Sequence, residues 1–206
     1  MENPYRLNLS KYSTHNIILG NIGENKNVLD IGCNDGYIGK LSSGTNRFYG
    51  LDYSVRSVEK TKKIYSDVLL YDLNNLIDLP WDIRFDVILF GDVLEHVLYP
   101  SVVLNFFVKN YLKNGGKLII SLPNIANWQI RLNLLFGKFN YTDVGILDKT
   151  HLHFFTFKSA ELLATENCLR IIENFGGASL FGPVVRGIPF LKNLLSTSII
   201  IICQKI

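Results

Sequence analysis

Carboxylates recur at the ends of four apolar runs in the first half of the chain. The acids are Asp30 in NVLDI, Asp52 in RFYGLD, Asp72 in DVLLYD and Asp92 in FDVILFGD. If each run is a parallel strand, its carboxyl end lies on the edge where open α/β sheets bind ligands. One acid at such a position is ordinary. Four in succession indicate a single binding edge, where carboxylates would accept hydrogen bonds from hydroxyl or amino groups.

The turn after the first run, in VLDIGCNDG, is built from small residues. Gly32 and Gly36 lack a Cβ atom and tolerate positive φ angles, and Asn34 tolerates the left-handed region better than most residues. The glycine spacing is GxxxGxxG, which differs from the GxGxxG of dinucleotide-binding turns. Because Asp30 and Asp35 would repel a pyrophosphate, the turn favours a ligand with a cationic amino group. A turn that only packs strand against helix is the alternative.

The apolar runs alternate with amphipathic segments, which predicts a doubly wound α/β sheet with parallel strands joined by helices. The strands are apolar on both faces, as expected when helices cover both sides of a sheet. The predicted strands are 27–31, 47–52, 67–72, 85–92, 115–123, 168–175 and 196–205. The predicted helices are 8–22, 36–43, 101–113, 157–167 and a segment that follows Ser54. Residues 124–150 read as an insertion or lid, and 176–195 as a second variable region.

The composition predicts one folded domain over residues 1–206. The chain is 48% hydrophobic with a net charge of +3, which allows a sizeable core and gives no clear indication of nucleic-acid binding. No signal peptide is apparent, and no apolar stretch reaches the ~20 residues of a transmembrane segment. Cys33, Cys168 and Cys203 have neither disulfide nor zinc-site spacing. We therefore expect a soluble, cytoplasmic protein with reduced thiols.

Together these motifs resemble the class I S-adenosylmethionine-dependent methyltransferases. VLDIGCNDG is similar to the family's glycine-rich first motif, GLDYS to its ribose-binding strand end, and FDVILFGDVLEHV with GGKLIISLP to its fourth and fifth strand motifs. The resemblance implies a Rossmann-like three-layer sandwich, in which a seven-stranded, mostly parallel sheet has an antiparallel last strand, SIIIICQK. It also implies S-adenosylmethionine as the cofactor. The departure from the family pattern is Asn34, where many members have glycine.

The resemblance also implies roles for individual residues. Asp30 and Gly32 would line the methionyl end of the cofactor, and Asp52 would hold its ribose. The implied cofactor-binding residues are Asp30, Gly32, Asn34, Gly36, Asp52, Tyr53, Asp72, Leu73, Gly91 and Asp92. Of these, Asp72 and Leu73 would border the adenine, whereas Gly91 and Asp92 would lie beside the sulfonium.

Three histidines are candidates for a base that removes a proton from the acceptor. Methyl transfer requires an aligned nucleophile, and a base helps if that nucleophile is a hydroxyl. His151 and His153 alternate in DKTHLHFFT and would share a face if that segment is extended. We expect one of these two to be the base, with His96 as the third candidate. Packing in the core is the alternative for each.

A divalent metal is another way to activate the acceptor. Asp92, Glu95 and His96 form DxxEH, which resembles the ExxEH segment of metal-dependent O-methyltransferases that act on quinone precursors or RNA ends. With a histidine from HLH, this set would suit magnesium or manganese better than copper. The ion would lower the pKa of a bound hydroxyl. The same segment also opens a helix in members without metal.

The acceptor half of the site is less defined than the cofactor half. Trp128, Phe139 and Tyr141 lie among polar residues and would form a lid over a small-molecule or surface-glycan acceptor, methylated on oxygen. The apolar stretch 176–195 suggests a pocket wall, a homodimer face or a membrane-touching edge, with core packing as the default. A noncatalytic S-adenosylmethionine-binding domain is the alternative function. A nicotinamide-dependent oxidoreductase is disfavoured by the glycine spacing.

Overall fold

The structure is a computed structural model that describes residues 10–42, 44–167, 169–177 and 191–206. Its centre is a seven-stranded sheet in the order β3-β2-β1-β4-β5-β7-β6. The strands are β1 (Asn27–Ile31), β2 (Arg47–Asp52), β3 (Asp67–Leu70), β4 (Phe85–Gly91), β5 (Leu112–Pro123), β6 (Leu169–Gly177) and β7 (Ser198–Lys205). Neighbouring strands from β1 to β5 pair in parallel, whereas β7 is antiparallel to both β5 and β6. The predicted sheet with an antiparallel last strand is therefore confirmed.

Helices cover both faces of this sheet, as the apolar strands require. The helices of the described residues are α1 (Thr14–Ile22), α2 (Tyr37–Leu41), α3 (Val55–Thr61), α4 (Pro100–Tyr111), α5 (Trp128–Leu135), α6 (Phe157–Thr165) and α7 (Lys192–Leu195), with a 3₁₀ turn at Leu94–His96. Successive strand side chains point to opposite faces, so Val28 and Leu29 belong to different buried clusters. The result is the three-layer arrangement that the resemblance implied.

Several boundaries differ from the sequence prediction. The predicted lid contains a helix, α5, whose cap Asn127 accepts a hydrogen bond from the Gln129 amide at 2.9 Å. Strand β3 ends at Leu70, two residues before Asp72. Much of the second variable region and Cys168 lie outside the described residues.

Two of the cysteines are buried free thiols, as predicted: Cys33 and Cys203. Burial raises the pKa of Cys203 to about 12, so this thiol stays protonated at neutral pH. In the part of the chain that the structure describes, no helix has the length and apolar character needed to cross a bilayer.

Candidate functional site

The carboxyl ends of β1 to β4 meet on one edge of the sheet, because these strands run in parallel. Asp30 and Asp52 lie within the last two residues of β1 and β2. Asp92 directly follows β4, and Asp72 lies just beyond the end of β3. The predicted gathering of four carboxylates on a single edge is confirmed, although Asp72 belongs to a loop and not to its strand.

The glycine turn after β1 adopts left-handed backbone conformations at three positions. Gly32, Asn34 and Gly36 have φ angles of 73°, 46° and 71°. Asn34 therefore takes the conformation expected of it. Gly32 has a second constraint, because a Cβ atom there would lie 2.3 Å from Cγ2 of Val93. The turn brings the backbone of β1 close to the segment that follows β4.

Asp52 ties the end of β2 to this turn. Its Oδ2 atom accepts a hydrogen bond from the Asn34 amide at 2.8 Å, and its Oδ1 atom accepts one from the Ser54 amide at 2.9 Å. Burial raises the pKa of Asp52, and these two amides oppose the rise. A carboxylate oxygen has more than one acceptor site, so Asp52 keeps capacity for a pair of ligand hydroxyls.

Asp30 has a partner that the sequence analysis missed. The Tyr65 hydroxyl donates a hydrogen bond to Oδ2 of Asp30 at 2.6 Å, and both side chains are buried. Burial raises the pKa of Asp30 to about 7, the Tyr65 hydrogen bond opposes this, and the charge of Asp52 adds to it. By contrast, Asp35 forms an ion pair with Lys60 at 2.8 Å. Of the two acids expected to favour a cation, only Asp30 thus lacks a cationic partner among the described residues.

The remaining predicted cofactor positions lie at or just beyond the ends of β2, β3 and β4. Tyr53 is 83% exposed, and Leu73 packs partly buried against the core. Asp72 accepts a hydrogen bond from the Asn74 amide at 2.9 Å through Oδ1. A Cβ atom at Gly91 would meet no atom within 4 Å. There is thus open space at the carboxyl end of β4, where the resemblance places the sulfonium.

Asp92 is oriented by Ser121, at the end of β5. The Ser121 hydroxyl donates to Oδ1 of Asp92 at 2.9 Å, while the Asp92 amide lies 3.1 Å from Oγ of Ser121. Desolvation raises the pKa of Asp92. The hydrogen bond from Ser121 lowers it, and so do the charges of three histidines, His15, His151 and His96. His15 and Ser121 were not identified from the sequence, since nothing nearby in the chain links them to Asp92.

Glu95 is a buried carboxylate for which the described part of the chain supplies no hydrogen-bonding group. Its residue is 1% exposed, and neither Oε atom has a hydrogen-bond partner among the described residues. Desolvation, followed by the charge of Asp92, raises its pKa well above the ordinary value; its own amide moderates the shift. Such groups are costly in a folded protein, and a catalytic role or a bound ion is among the explanations for an unpartnered buried carboxylate.

Two histidines complete a cluster with Glu95. Ligand atoms of Glu95, His96 and His151 all lie within 4.8 Å of one another, and the two imidazole rings are 4.8 Å apart. Burial and the neighbouring His96 lower the pKa of His151, which favours its neutral form. Its Nδ1 atom is 3.1 Å from the Ile146 carbonyl oxygen, so Nδ1–H is the donor when the ring is neutral and Nε2 is then an acceptor.

The structure changes two expectations about these histidines. His151 and His153 do not point to one site: Nε2 of His153 lies 3.2 Å from the Leu98 carbonyl oxygen. The Leu152 and His153 amides both donate to the Glu95 carbonyl oxygen, at 2.8 and 3.1 Å, which is incompatible with the alternation of an extended segment. Of the predicted metal ligands, the cluster contains Glu95, His96 and one histidine of HLH, His151, but it does not contain Asp92.

Aromatic rings connect this cluster with the predicted lid. Phe154 lies 6.3 Å from His151 and 5.7 Å from Phe139, which in turn lies 5.6 Å from Tyr141 (distances between ring centroids). Tyr141 is 57% exposed. Residues 131–145 are exposed throughout and include several large apolar side chains. An apolar surface therefore extends from the histidine pair to solvent.

Residues 12–201 match the family described as "Methionine biosynthesis protein MetW". The chain belongs to this family. A 106-residue part of this MetW family member is 37% identical to the mitochondrial ubiquinone biosynthesis O-methyltransferase of Candida albicans. That match covers 47% of the chain but only 32% of the relative.

Solved structures share the fold over nearly the whole MetW family chain. A SAM-dependent methyltransferase from Aquifex aeolicus has a TM-score of 0.63 at 17% identity, with 95% of this chain and 92% of that chain covered. The magnesium protoporphyrin IX methyltransferase from Synechocystis, solved with bound SAH, has a TM-score of 0.64 at 17% identity, with 94% and 82% covered. The resemblance to class I methyltransferases is confirmed.

Proposed function

We propose that this MetW family protein is an S-adenosylmethionine-dependent methyltransferase that acts on a hydroxyl oxygen of a small molecule. The observation that carries the proposal is the carboxylate edge: four acids lie at or just beyond the carboxyl ends of parallel strands, beside a left-handed glycine turn and within a methyltransferase fold. The curated relative is named as an O-methyltransferase, which supports oxygen as the methylated atom. The match over residues 12–201 supports a single methyltransferase domain.

Each carboxylate binds or borders a different part of the cofactor. Asp30 takes the methionyl ammonium, and Asp52, oriented by the Asn34 and Ser54 amides, takes the ribose hydroxyls. Asp72 and Leu73 border the adenine. The open space at Gly91 and the adjacent Asp92 then receive the sulfonium end, where a negative charge favours the cation.

In the reaction, a lone pair of the acceptor oxygen forms a bond with the methyl carbon while the S–CH₃ bond breaks. The products are the methylated acceptor, S-adenosylhomocysteine and a proton. His151 takes that proton, since its lowered pKa keeps the ring neutral and its Nδ1 contact with Ile146 leaves Nε2 as the acceptor. His96 is the second candidate. His153 is excluded from our proposal because its ring lies against Leu98, outside the cluster of Glu95, His96 and His151.

The acceptor that best fits the described surface is apolar or aromatic apart from its hydroxyl. The rings of Phe154, Phe139 and Tyr141 lead from the histidine pair to solvent, and flat apolar groups stack favourably on such rings. The exposed side chains of Leu135 and Phe136 extend this surface. A sugar acceptor, a homodimer and a cytoplasmic location stay predictions.

A specific observation favours a metal-assisted form of the same reaction. Glu95 is buried without a hydrogen-bond partner among the described residues, beside two imidazoles, so the residues present fit a divalent cation. Glu95, His96 and His151 would hold it. This set keeps the two nitrogen donors of the predicted one but lacks the Asp92 carboxylate, which brings zinc and iron into consideration beside manganese. The ion would lower the pKa of a bound acceptor hydroxyl. In this form His151 is a ligand, and the proton leaves to another base.

Two experiments test the proposal. Calorimetric titration with S-adenosylhomocysteine measures binding, and incubation of the protein with a methyl-labelled cofactor and a panel of phenols and other alcohols measures turnover. Binding with no turnover on any acceptor would favour the noncatalytic alternative, and tighter binding of NAD would overturn the assignment.

For the metal, thermal unfolding is followed with manganese, zinc and magnesium salts. Stabilisation of wild type and of Glu59→Gln, but not of Glu95→Gln, is expected; equal shifts in all three would exclude the site.

A further inference from the structure

Tyr65 lies between α3 and β3 and belongs to none of the motifs that indicated the site. Its side chain is 5% exposed, and its ring packs 5.1 Å from that of Phe48. The hydroxyl donates to Oδ2 of Asp30 at 2.6 Å and accepts a hydrogen bond from the Gly39 amide at 3.2 Å. One phenol thus connects the end of β1 with α2, the two elements that flank the glycine turn.

The Gly39 contact satisfies an otherwise unpaired helix terminus. Gly39 is the third residue of α2, and the first amides of a helix have no partner within the helix. The helix cap, Gly36, has no side chain that could serve. The Tyr65 hydroxyl therefore stabilises the first turn of α2 from outside the helix and fixes where the glycine turn ends.

Two glycines explain why this phenol fits. A Cβ atom at Gly39 would lie 2.2 Å from Cε1 of Tyr65, and one at Gly50 would lie 3.0 Å from Cδ2 of Tyr65 and 2.8 Å from Sγ of Cys33. Neither glycine has a positive φ angle, so backbone conformation does not require them. Both positions are small because the Tyr65 ring occupies the slot between α2 and β2.

We propose that Tyr65 is a positioning residue for the cofactor: its phenol orients the Asp30 carboxylate toward the methionyl ammonium while it holds the first turn of α2. The inference rests on the proposed cofactor role of Asp30. Oδ2 is occupied by Tyr65, and in the described part of the chain no hydrogen bond to Oδ1 is present. Oδ1 is thus the oxygen that remains for the ligand. The other titratable groups facing Asp30 are Asp52 on β2 and Cys33 in the turn.

The test compares wild type with Tyr65→Phe, which keeps the ring and removes the hydroxyl. Affinity for S-adenosylhomocysteine is measured by calorimetry from about pH 5.5 to 9. Because the ammonium requires an ionised Asp30, wild-type affinity rises with pH through about 7, and it falls again where the amino group of the ligand loses its proton. Removing the donor raises the Asp30 pKa, so the midpoint moves up by about one pH unit, and affinity falls about fivefold at pH 7 and about tenfold at pH 6.

Three controls separate positioning from general stability. The compound 5′-methylthioadenosine lacks the amino acid part of the cofactor, so its affinity is expected to stay within about twofold in Tyr65→Phe. Asp30→Asn removes the rise in affinity that ionisation of Asp30 causes, in both backgrounds. Incorporation of 3-fluorotyrosine at position 65 strengthens the donor and moves the midpoint down, which tests the inference even if Tyr65→Phe folds poorly.

The outcomes separate the positioning role of Tyr65 from the proposed function on which it rests. Wild type that binds no S-adenosylhomocysteine contradicts the proposed function. If wild type binds S-adenosylhomocysteine, two results for Tyr65→Phe would overturn the positioning role and leave the proposed function standing. One is an unchanged pH midpoint of affinity. The other is an equal loss of affinity for S-adenosylhomocysteine and 5′-methylthioadenosine.

Discussion

Replacing Asp30 with asparagine is expected to stabilise the protein without cofactor at neutral pH while weakening cofactor binding. Burial raises the pKa of Asp30 from 3.8 to about 7, a shift of about three units. Each unit corresponds to ~1.4 kcal/mol of differential interaction. The buried carboxylate therefore costs about 4 kcal/mol of unfolding free energy once it is fully ionised. An asparagine side chain is neutral at every pH, so the variant avoids this cost and its amide oxygen still accepts from Tyr65.

Proton linkage determines whether Asp30 raises or lowers the free energy of unfolding as pH increases. Between the two pKa values the unfolded chain has lost the Asp30 proton and the folded chain keeps it, so this group lowers stability as pH rises. The loss begins near pH 3.8 and is complete above about 7. The free energy of unfolding of Asp30→Asn relative to wild type should accordingly increase by about 4 kcal/mol across that window and then stay constant, which is about 8 to 16 °C in Tm for a chain of this size.

Urea unfolding of both proteins at several pH values, without cofactor, measures this difference. Only its pH-dependent part is assigned to Asp30, because the other buried acids titrate in both proteins. Asp82→Asn, a change at an exposed position, serves as the control and should show no pH-dependent difference. A relative stability of Asp30→Asn that varies by less than about 1 kcal/mol over the window would refute the reasoning.

Three further predictions test the roles of His151, Gly32 and Asp52. His151→Gln should lower turnover at least about tenfold with little change in cofactor affinity, whereas His153→Gln should leave turnover near wild type; equal effects in steady-state assays would contradict the assignment. Gly32→Ala should cost about 1–3 kcal/mol in urea unfolding, because of its φ of 73° and the Val93 contact, and Val93→Ala should recover part of that loss; a loss that Val93→Ala leaves unchanged would rule out the contact. Asp52→Ala should weaken S-adenosylhomocysteine binding by about 2 kcal/mol in calorimetry, and unchanged affinity would argue against the ribose contact.

Local sequence was sufficient to predict the sheet and the edge on which the acids lie. Apolar runs that end in acids predict parallel strands, and parallel strands necessarily place Asp30, Asp52 and Asp92 on one edge. The left-handed conformation of Asn34 was likewise predictable from residue type and turn context. The helix within the predicted lid was missed, because its side chains show no amphipathic pattern and its residues are largely exposed.

Contacts between distant segments were decided by tertiary structure. The sequence put His151 beside His153, but two amides converge on the Glu95 carbonyl oxygen and turn the histidines apart. Asp30 was visible in its motif, whereas Tyr65, 35 residues away, has no local signature. The position of a carboxylate at the end of an apolar run determines the edge on which it lies, since that position depends only on neighbours in the chain. The partner that sets its charge depends on how helices and loops pack over that edge, and packing joins residues whose spacing in the sequence is arbitrary.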